Sequence, residues 1–326
     1  MLHTPICDLL GIRLPILQGA LGPHDTTSVA LAVSRAGGLG MISSIHGDDV
    51  YGDTKKQIAT LDKAGGPFGI NFPIKSPDGP KRLRATLDSL NENEHVCGTL
   101  KVVVTSAGSP KVFNKDIRSA HLQHFHVVAT VEHARKAVDA GCTGLIVEGN
   151  ESGGHVLSAF GPTSMTLIPA VIEKVNVPVI AAGGFVDGKG LVAALALGAA
   201  GIQMGTRFYM TKEANAFAPP QIQAALLKAG VGDTAVVPSV FGPNRHWRNG
   251  HTEEILKRVA KGLTLADMED LKKEGVQAHS AGLADRATVP IGMAVGRIDS
   301  VQSVSEIFDD IASDARHTLD ALAQLR

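Results

Sequence analysis

The chain has 326 residues, 44% hydrophobic and 19% charged, enough to bury a large core as one barrel with an insertion or as two domains. A formal net charge of -1 and a pI of about 6.9 leave no global field to draw nucleic acid or an anionic membrane, so small-molecule chemistry is expected. Cys7, Cys97 and Cys142 are odd in number with no CxxC spacing, which argues against a disulfide framework or zinc site. All three read as buried small hydrophobes in a reducing, cytoplasmic setting.

The N-terminus lacks a basic stretch followed by a long apolar one, and nowhere do about 18 uncharged apolar residues run together, so no secretion signal or membrane span is expected. Pro15 to Ala20 is a first strand. Thr26 to Ser28 start a helix over Val29 to Ala36, which Gly37-Gly38 end. A second strand over Leu39 to Ser44, a helix over Asp53 to Lys63 and a third strand, Phe68 to Pro73, follow. The pattern continues with a helix over Lys81 to Asn91, a strand Leu100 to Thr105, a helix Lys111 to Ser119, a strand Phe125 to Thr130 and a helix Val131 to Ala140.

The sixth strand, Leu145 to Glu148, leads into Gly149-Asn150-Glu151-Ser152-Gly153-Gly154-His155, and an apolar helix spans Ser164 to Val175. Val177 to Gly184 is a seventh, fully buried strand, Gly188 to Leu197 its helix, and Gly201 to Thr206 the eighth strand. Eight strands without polar alternation, each followed by a helix, predict an α/β fold of the (β/α)8 TIM-barrel type rather than an open doubly wound sheet. The turn Gln18-Gly19-Ala20-Leu21-Gly22 does not match G-x-G-x-x-G.

The rhythm changes after residue 209. Helices over Ile222 to Ala229, Glu253 to Lys261 and Leu265 to Lys273 predict a helical cap over 210–297, inserted after strand eight of a 1–209 barrel. Ile291 to Gly296 returns to the barrel, and 298–326 supplies an amphipathic outer helix, Val304 to Leu325.

Barrel chemistry sits at the C-terminal strand ends, and the loops after strands seven and eight commonly hold phosphate. Here those loops begin with Gly183-Gly184 and Gly205-Thr206, whose backbone N–H groups suit phosphate oxygens. Gln18 and Asn71 offer amides to the edge of a planar heterocycle at the ends of strands one and three. His155, behind a glycine pair at a strand exit, is the candidate proton-transfer residue. Glu148 and Glu151 flank that turn, either to raise the pKa of His155 or to cap the following backbone. His121, His124 and His126 read as ordinary surface and core histidines rather than metal ligands, and Arg245, His246, Trp247, Arg248 and His251 as an exposed basic loop in the cap, ahead of the alternative that they close over substrate or meet a nicotinamide phosphate.

Gln18-Gly19, Ala36-Gly37-Gly38-Leu39-Gly40, Phe68-Gly69-Ile70-Asn71, Glu151-Ser152-Gly153-Gly154-His155, Ala181-Ala182-Gly183-Gly184 and Gln203-Met204-Gly205-Thr206-Arg207-Phe208 together resemble the nitronate monooxygenase (2-nitropropane dioxygenase) family of FMN barrels. That family also includes FMN-dependent enoyl-acyl-carrier-protein reductases and NAD(P)H:quinone reductases. The resemblance implies FMN contacts from Gln18, Gly19, Asn71, Glu148, Gly153, Gly183, Gly184, Gln203, Met204, Gly205 and Thr206, with His155 catalytic.

It implies oxidation of alkyl nitronates with O2, or alternatively NAD(P)H-dependent reduction of an enoyl thioester or quinone, with NAD(P)H as optional co-substrate and a homodimer left open. An acidic residue at Glu148, where nitronate monooxygenases often carry glutamine, and Thr211 to Ala216 look more like the enoyl reductase branch. Gly19 to His24 matches neither branch well, and Val156-Leu157-Ser158 stands where a small glycine is expected. A non-catalytic flavin- or phosphate-binding sensor barrel is the reading from another class.

Overall fold

The computed structural model describes residues 2–22, 24–43, 49–156, 160–239, 242–262 and 264–325. Pro23, Ser44 at the end of the expected second strand, and Leu157-Ser158 after the central motif lie outside the described residues.

Eleven strands are formed among the described residues: β1 (Ile16–Gln18), β2 (Gly40–Ile42), β3 (Phe68–Pro73), β4 (Leu100–Ser106), β5 (Gln123–Val128), β6 (Gly144–Glu148), β7 (Gly154–His155), β8 (Val179–Ala182), β9 (Gly201–Met204), β10 (Thr234–Val237) and β11 (Asn244–Trp247). Eight of them form one parallel sheet in the order β1-β9-β8-β6-β5-β4-β3-β2. A parallel bridge between Leu17 and Leu39 joins its two edges, so the sheet closes into a (β/α)8 barrel.

Alternation along each strand divides the core in two. Leu17, Met41, Val102, Val104, Phe125, Ile146 and Ile180 fill the barrel. Their sequence neighbours Ile16, Leu145, Val147, Val179 and Ala181 point outward to the helices, as does Ile202 on β9. A Cβ at Gly144 would run into the Phe125 ring, so the interior pairs a large side chain with none. The N-terminal helix Pro5–Leu10 closes the barrel floor with Ile6, Cys7 and Leu10, which places Cys7 in that core.

Several boundaries differ from expectation for local reasons. β5 starts at Gln123 because Gln123 and His124 pair with Val102 and Val103, and it stops at Val128 because Thr130 caps the next helix by accepting from His133 N. β9 ends at Met204, since Thr206 already begins a short helix, Thr206–Tyr209. A helix not anticipated from the sequence, Glu94–Thr99, leaves Cys97 exposed rather than buried. The last helix, Val304–Ala323, packs on helices 188–196 and 27–35, which is where the eighth outer helix of a barrel belongs.

The segment expected as a helical cap contains β10 and β11 as well as helices 220–226, 250–260 and 265–280. The hairpin recruits β7, giving the three-stranded order β10-β11-β7 with Asn244 opposite His155 and Arg245 opposite Gly154. No helix among the described residues is long and apolar enough to cross a membrane.

Candidate active site

Register brings two of the expected residues, Glu148 and Gln203, to either side of Ala182 at the C-terminal end of the barrel. Glu148 pairs with Ala182 and Ala182 with Gln203. All three face inward, because Ile146 and Ile180 do, Ile202 faces outward, and the side-chain period is two. Leu17 pairs with Gln203, so Gln18 and Gly19 complete this side of the mouth. Asn71 faces inward from β3, the fourth of six strand residues rather than the last.

Gln18 is fully buried. Its Oε1 accepts from Met41 N at 3.1 Å across the seam where the barrel closes, its backbone carbonyl accepts from Gln203 Nε2 at 3.3 Å, and its Nε2 has no partner. Asn71 is largely buried, and its amide keeps some exposure at the mouth without a hydrogen bond to the described residues. A native fold rarely leaves a buried donor like Gln18 Nε2 unsatisfied unless something else bonds it.

Gly183 and Gly184 follow β8 with φ of 93° and 87°, the left-handed region that glycine enters without strain. Neither N–H has an acceptor among the described residues, and the same is true of Gly205 and Thr206. Space at Gly205 is open, since an added Cβ would meet nothing nearer than Leu21 Cδ2 at 3.7 Å. Free backbone donors on adjacent loops form a surface that attracts anions.

Other expected residues have structural roles. Gly153 is small because Ile291 and Gly292 pack against it, and Met293 N donates to Glu151 O at 2.9 Å, so the 291–297 segment does return to the barrel. Gly19 donates its N–H to Met204 O at 2.8 Å and lies against the Gly205 backbone. The Met204 side chain points away into the outer core. Thr206 Oγ1 accepts from Gly292 N at 3.0 Å.

The two carboxylates of the central motif divide their roles. Glu151 caps the helix Ser164–Ile172 by accepting from Ser164 N at 2.9 and 3.0 Å. Glu148 accepts a short hydrogen bond from Ser152 Oγ, and burial pushes its carboxyl up to about 7, only partly offset by that bond. His155 moves the other way. Part of its ring is open to solvent, yet the protein packed around it and then the Lys272 ammonium lower its pKa. The upward tuning by paired carboxylates does not occur.

The expected basic loop is not exposed either. Arg245, His246 and His251 are buried because β11 is the central strand of the small sheet. Arg245 donates to Thr234 Oγ1 at 3.0 Å and Asn150 Oδ1 at 3.3 Å, tying the hairpin to the central motif. Sequence reading missed this link; the only local hint is the short run Ala235-Val236-Val237, too brief to mark a strand by its period. His124 and His126 are core residues as expected, each held neutral by burial that lowers its pKa to about 4, and no metal-binding group occurs among the described residues.

A closed (β/α)8 barrel with inward-facing polar groups and free backbone donors at one mouth is the geometry of an enzyme that takes a phosphate-bearing ligand, and the family match makes the class that of FMN-type oxidoreductases. The pattern of the nitronate monooxygenase family matches residues 3–314, and the chain belongs to that family. It is 30% identical to a (3aS,4S,5R,7aS)-5-hydroxy-7a-methyl-1-oxo-octahydro-1H-indene-4-carboxyl-CoA dehydrogenase from Mycobacterium tuberculosis, covering 96% of each chain. A probable nitronate monooxygenase from Staphylococcus haemolyticus is 25% identical over 97% of this chain and 98% of its own. Among solved structures, FabK from Thermotoga maritima superposes with a TM-score of 0.90 at 32% identity, covering all of both chains.

Proposed function

We propose that the chain is an FMN-dependent oxidoreductase acting on an acyl thioester at the carbons next to the carbonyl, with NAD(P)H as the redox partner in the reducing direction. The observation that carries this reading is the opposed shift of two groups on one motif: Glu148 raised to about 7 and His155 lowered. Pairs of titratable groups pushed apart by their surroundings mark acid and base roles.

The residues present fit FMN. The orphaned Gln18 Nε2 and the unbonded Asn71 amide suit the edge of the heterocycle, and the free N–H groups of Gly183, Gly184, Gly205 and Thr206 suit its phosphate. When bound, FMN supplies the acceptor or donor of a hydride. The protein supplies placement and proton control. His155, kept neutral, takes a proton from the carbon next to a thioester carbonyl or returns one to it. Glu148, protonated near neutral pH, can donate a hydrogen bond to a carbonyl oxygen gaining negative charge.

A nitronate is already an anion. It needs no base, and it meets the Glu148 carboxylate unless that group is protonated. A neutral thioester avoids this conflict, and the carboxyl-CoA dehydrogenase named for the mycobacterial relative supports that substrate class. Nitronate oxidation is the second reading, favoured by the staphylococcal relative.

Anaerobic flavin bleaching separates the two. Flavin-loaded protein should be bleached by NAD(P)H or a saturated acyl-CoA and recoloured by the enoyl-CoA. Bleaching at pH 8 by propionate 3-nitronate alone would replace the thioester reading with the nitronate one.

A further inference from the structure

The small sheet turns one face toward cap helices 250–260 and 265–280, with Val237 packed on Ile255 and Leu271. Register puts Asn244, His246 and His155 on that same face. Asn244 is directly opposite His155, and His246, two residues further along β11, is its diagonal neighbour. Imidazoles at diagonal positions are within each other's reach. Helix 250–260 adds His251, near enough for its charge to act on His246.

Asn244, His246 and His251 are all buried, yet Asn244 Oδ1, His246 Nδ1 and His251 Nε2 have no partner. A fold that leaves three polar atoms unmatched in one interface gives up the full desolvation of each. Two of them are ring nitrogens able to accept and pass on a proton.

We infer that His246 is the residue through which His155 exchanges its proton with solvent, with His251 as the outer station. This rests on the reading above, in which His155 moves a proton at the substrate carbon. In the oxidising direction the Cα–H bond breaks with its proton going to His155, the Cβ–H bond breaks with its electron pair leaving as hydride to the flavin, and a carbon–carbon double bond forms. The extra proton on His155 passes to His246, which hands its own to His251 and so to solvent, and both inner rings return to neutral.

The surroundings keep a proton from resting on either inner ring. Lys272 from helix 265–280 opposes a positive His155. Burial, then His251 and His155, hold His246 neutral. Burial lowers His251 too, but the carboxylates of Glu274 and Glu254 oppose this at the outer end, against Arg258 and Arg286. Direct exchange from the open edge of His155 is the competing route, and a thioester seated at the mouth obstructs it. His246 acts through His155 and does not touch substrate.

The test uses flavin-loaded full-length protein and a saturated acyl-CoA in D2O, following α-hydrogen exchange and turnover together. His246→Phe and His246→Gln should slow steady-state turnover and exchange at least tenfold and the first turnover less than threefold, with His251→Gln intermediate. Turnover and exchange within twofold of wild type in both His246 variants, while His155→Ala abolishes both, overturns the relay and leaves the thioester reading standing. If His155→Ala retains both, that reading falls and the relay with it. Should the His246 variants lose flavin, the wild-type rate against D2O fraction decides: a curved dependence shows more than one proton moving and supports the relay, whereas a linear one overturns it.

Discussion

Two groups of buried histidines in this protein differ in what surrounds them. On the barrel wall, Asn114 Nδ2 donates to His124 Nδ1 at 2.9 Å, which makes His124 Nε2 the donor to Thr105 Oγ1 at 2.8 Å and leaves the Thr105 hydroxyl to donate to His126 Nδ1 at 2.8 Å. Each member of this chain is matched, and one set of tautomers satisfies it. On the cap face, His246 and His251 are buried to a similar degree with open ring nitrogens. Matched polar groups in a core fix its geometry, and unmatched ones at a mouth are available to ligand or proton. The same contrast separates the satisfied wall from the Gly183–Gly184 and Gly205–Thr206 loops with their free donors.

The largest expected effect is at the open end. His155→Ala should lower kcat by about 10²–10⁴-fold while flavin content stays at wild-type level, measured by steady-state kinetics beside the absorbance of bound flavin. A loss under tenfold would remove His155 from the proton-transfer role.

Next comes the anion surface. Gly183→Val places a side chain at φ 93°, a strain of roughly 1–2 kcal/mol, and its Cβ would press on Gly149 O, 3.0 Å away. FMN titration should show affinity weakened by about tenfold or more. Gly198→Ala, at φ 94° after helix 188–196, carries comparable strain on the outer wall and should cost stability but no FMN affinity. Equal losses of affinity in both variants would erase the distinction between loop and wall.

On the matched side, Thr105→Val leaves His124 Nε2 and His126 Nδ1 without their shared partner. Denaturant titration should show a loss of about 1–3 kcal/mol, with FMN affinity within twofold of wild type. A stability-neutral variant would mean the wall network is dispensable.

The smallest effect is the pH dependence of stability at Glu148. Its folded pKa of about 7 stands above the ordinary 4.5, so its contribution is fully present below pH 4.5 and is lost as pH rises through 7. Glu148→Gln should therefore melt a few degrees above wild type at pH 8, with the gap closing between pH 7 and 4.5, in a pH series of thermal melts without flavin. A gap that widens toward low pH would show that Glu148 is not held above its ordinary pKa.

Much of the barrel was legible because parallel strands buried on both faces leave continuous apolar runs, as in Gly144 to Val147 and Val179 to Ala182, and glycine or capping residues punctuate the helices between them. The grouping of Glu148 and Gln203 also followed from local order, since both stand where a strand meets the mouth. The polar pattern of 234–247 gave no comparable signal. Its strands are short, and the outside partner of β11, β7, lies about 90 residues earlier in the sequence.

The sequence by itself determined the barrel, the family motifs and which residue types reach the mouth, because these depend on period and on neighbours close along the chain. Only the tertiary structure decided which carboxylate caps a helix and which carries the raised pKa, and that Gly153 is small for the returning 291–292 segment. It also decided that Arg245 and His246 belong to a buried strand beside His155. Those outcomes depend on desolvation and on contacts between distant segments, and neither quantity is written in local sequence.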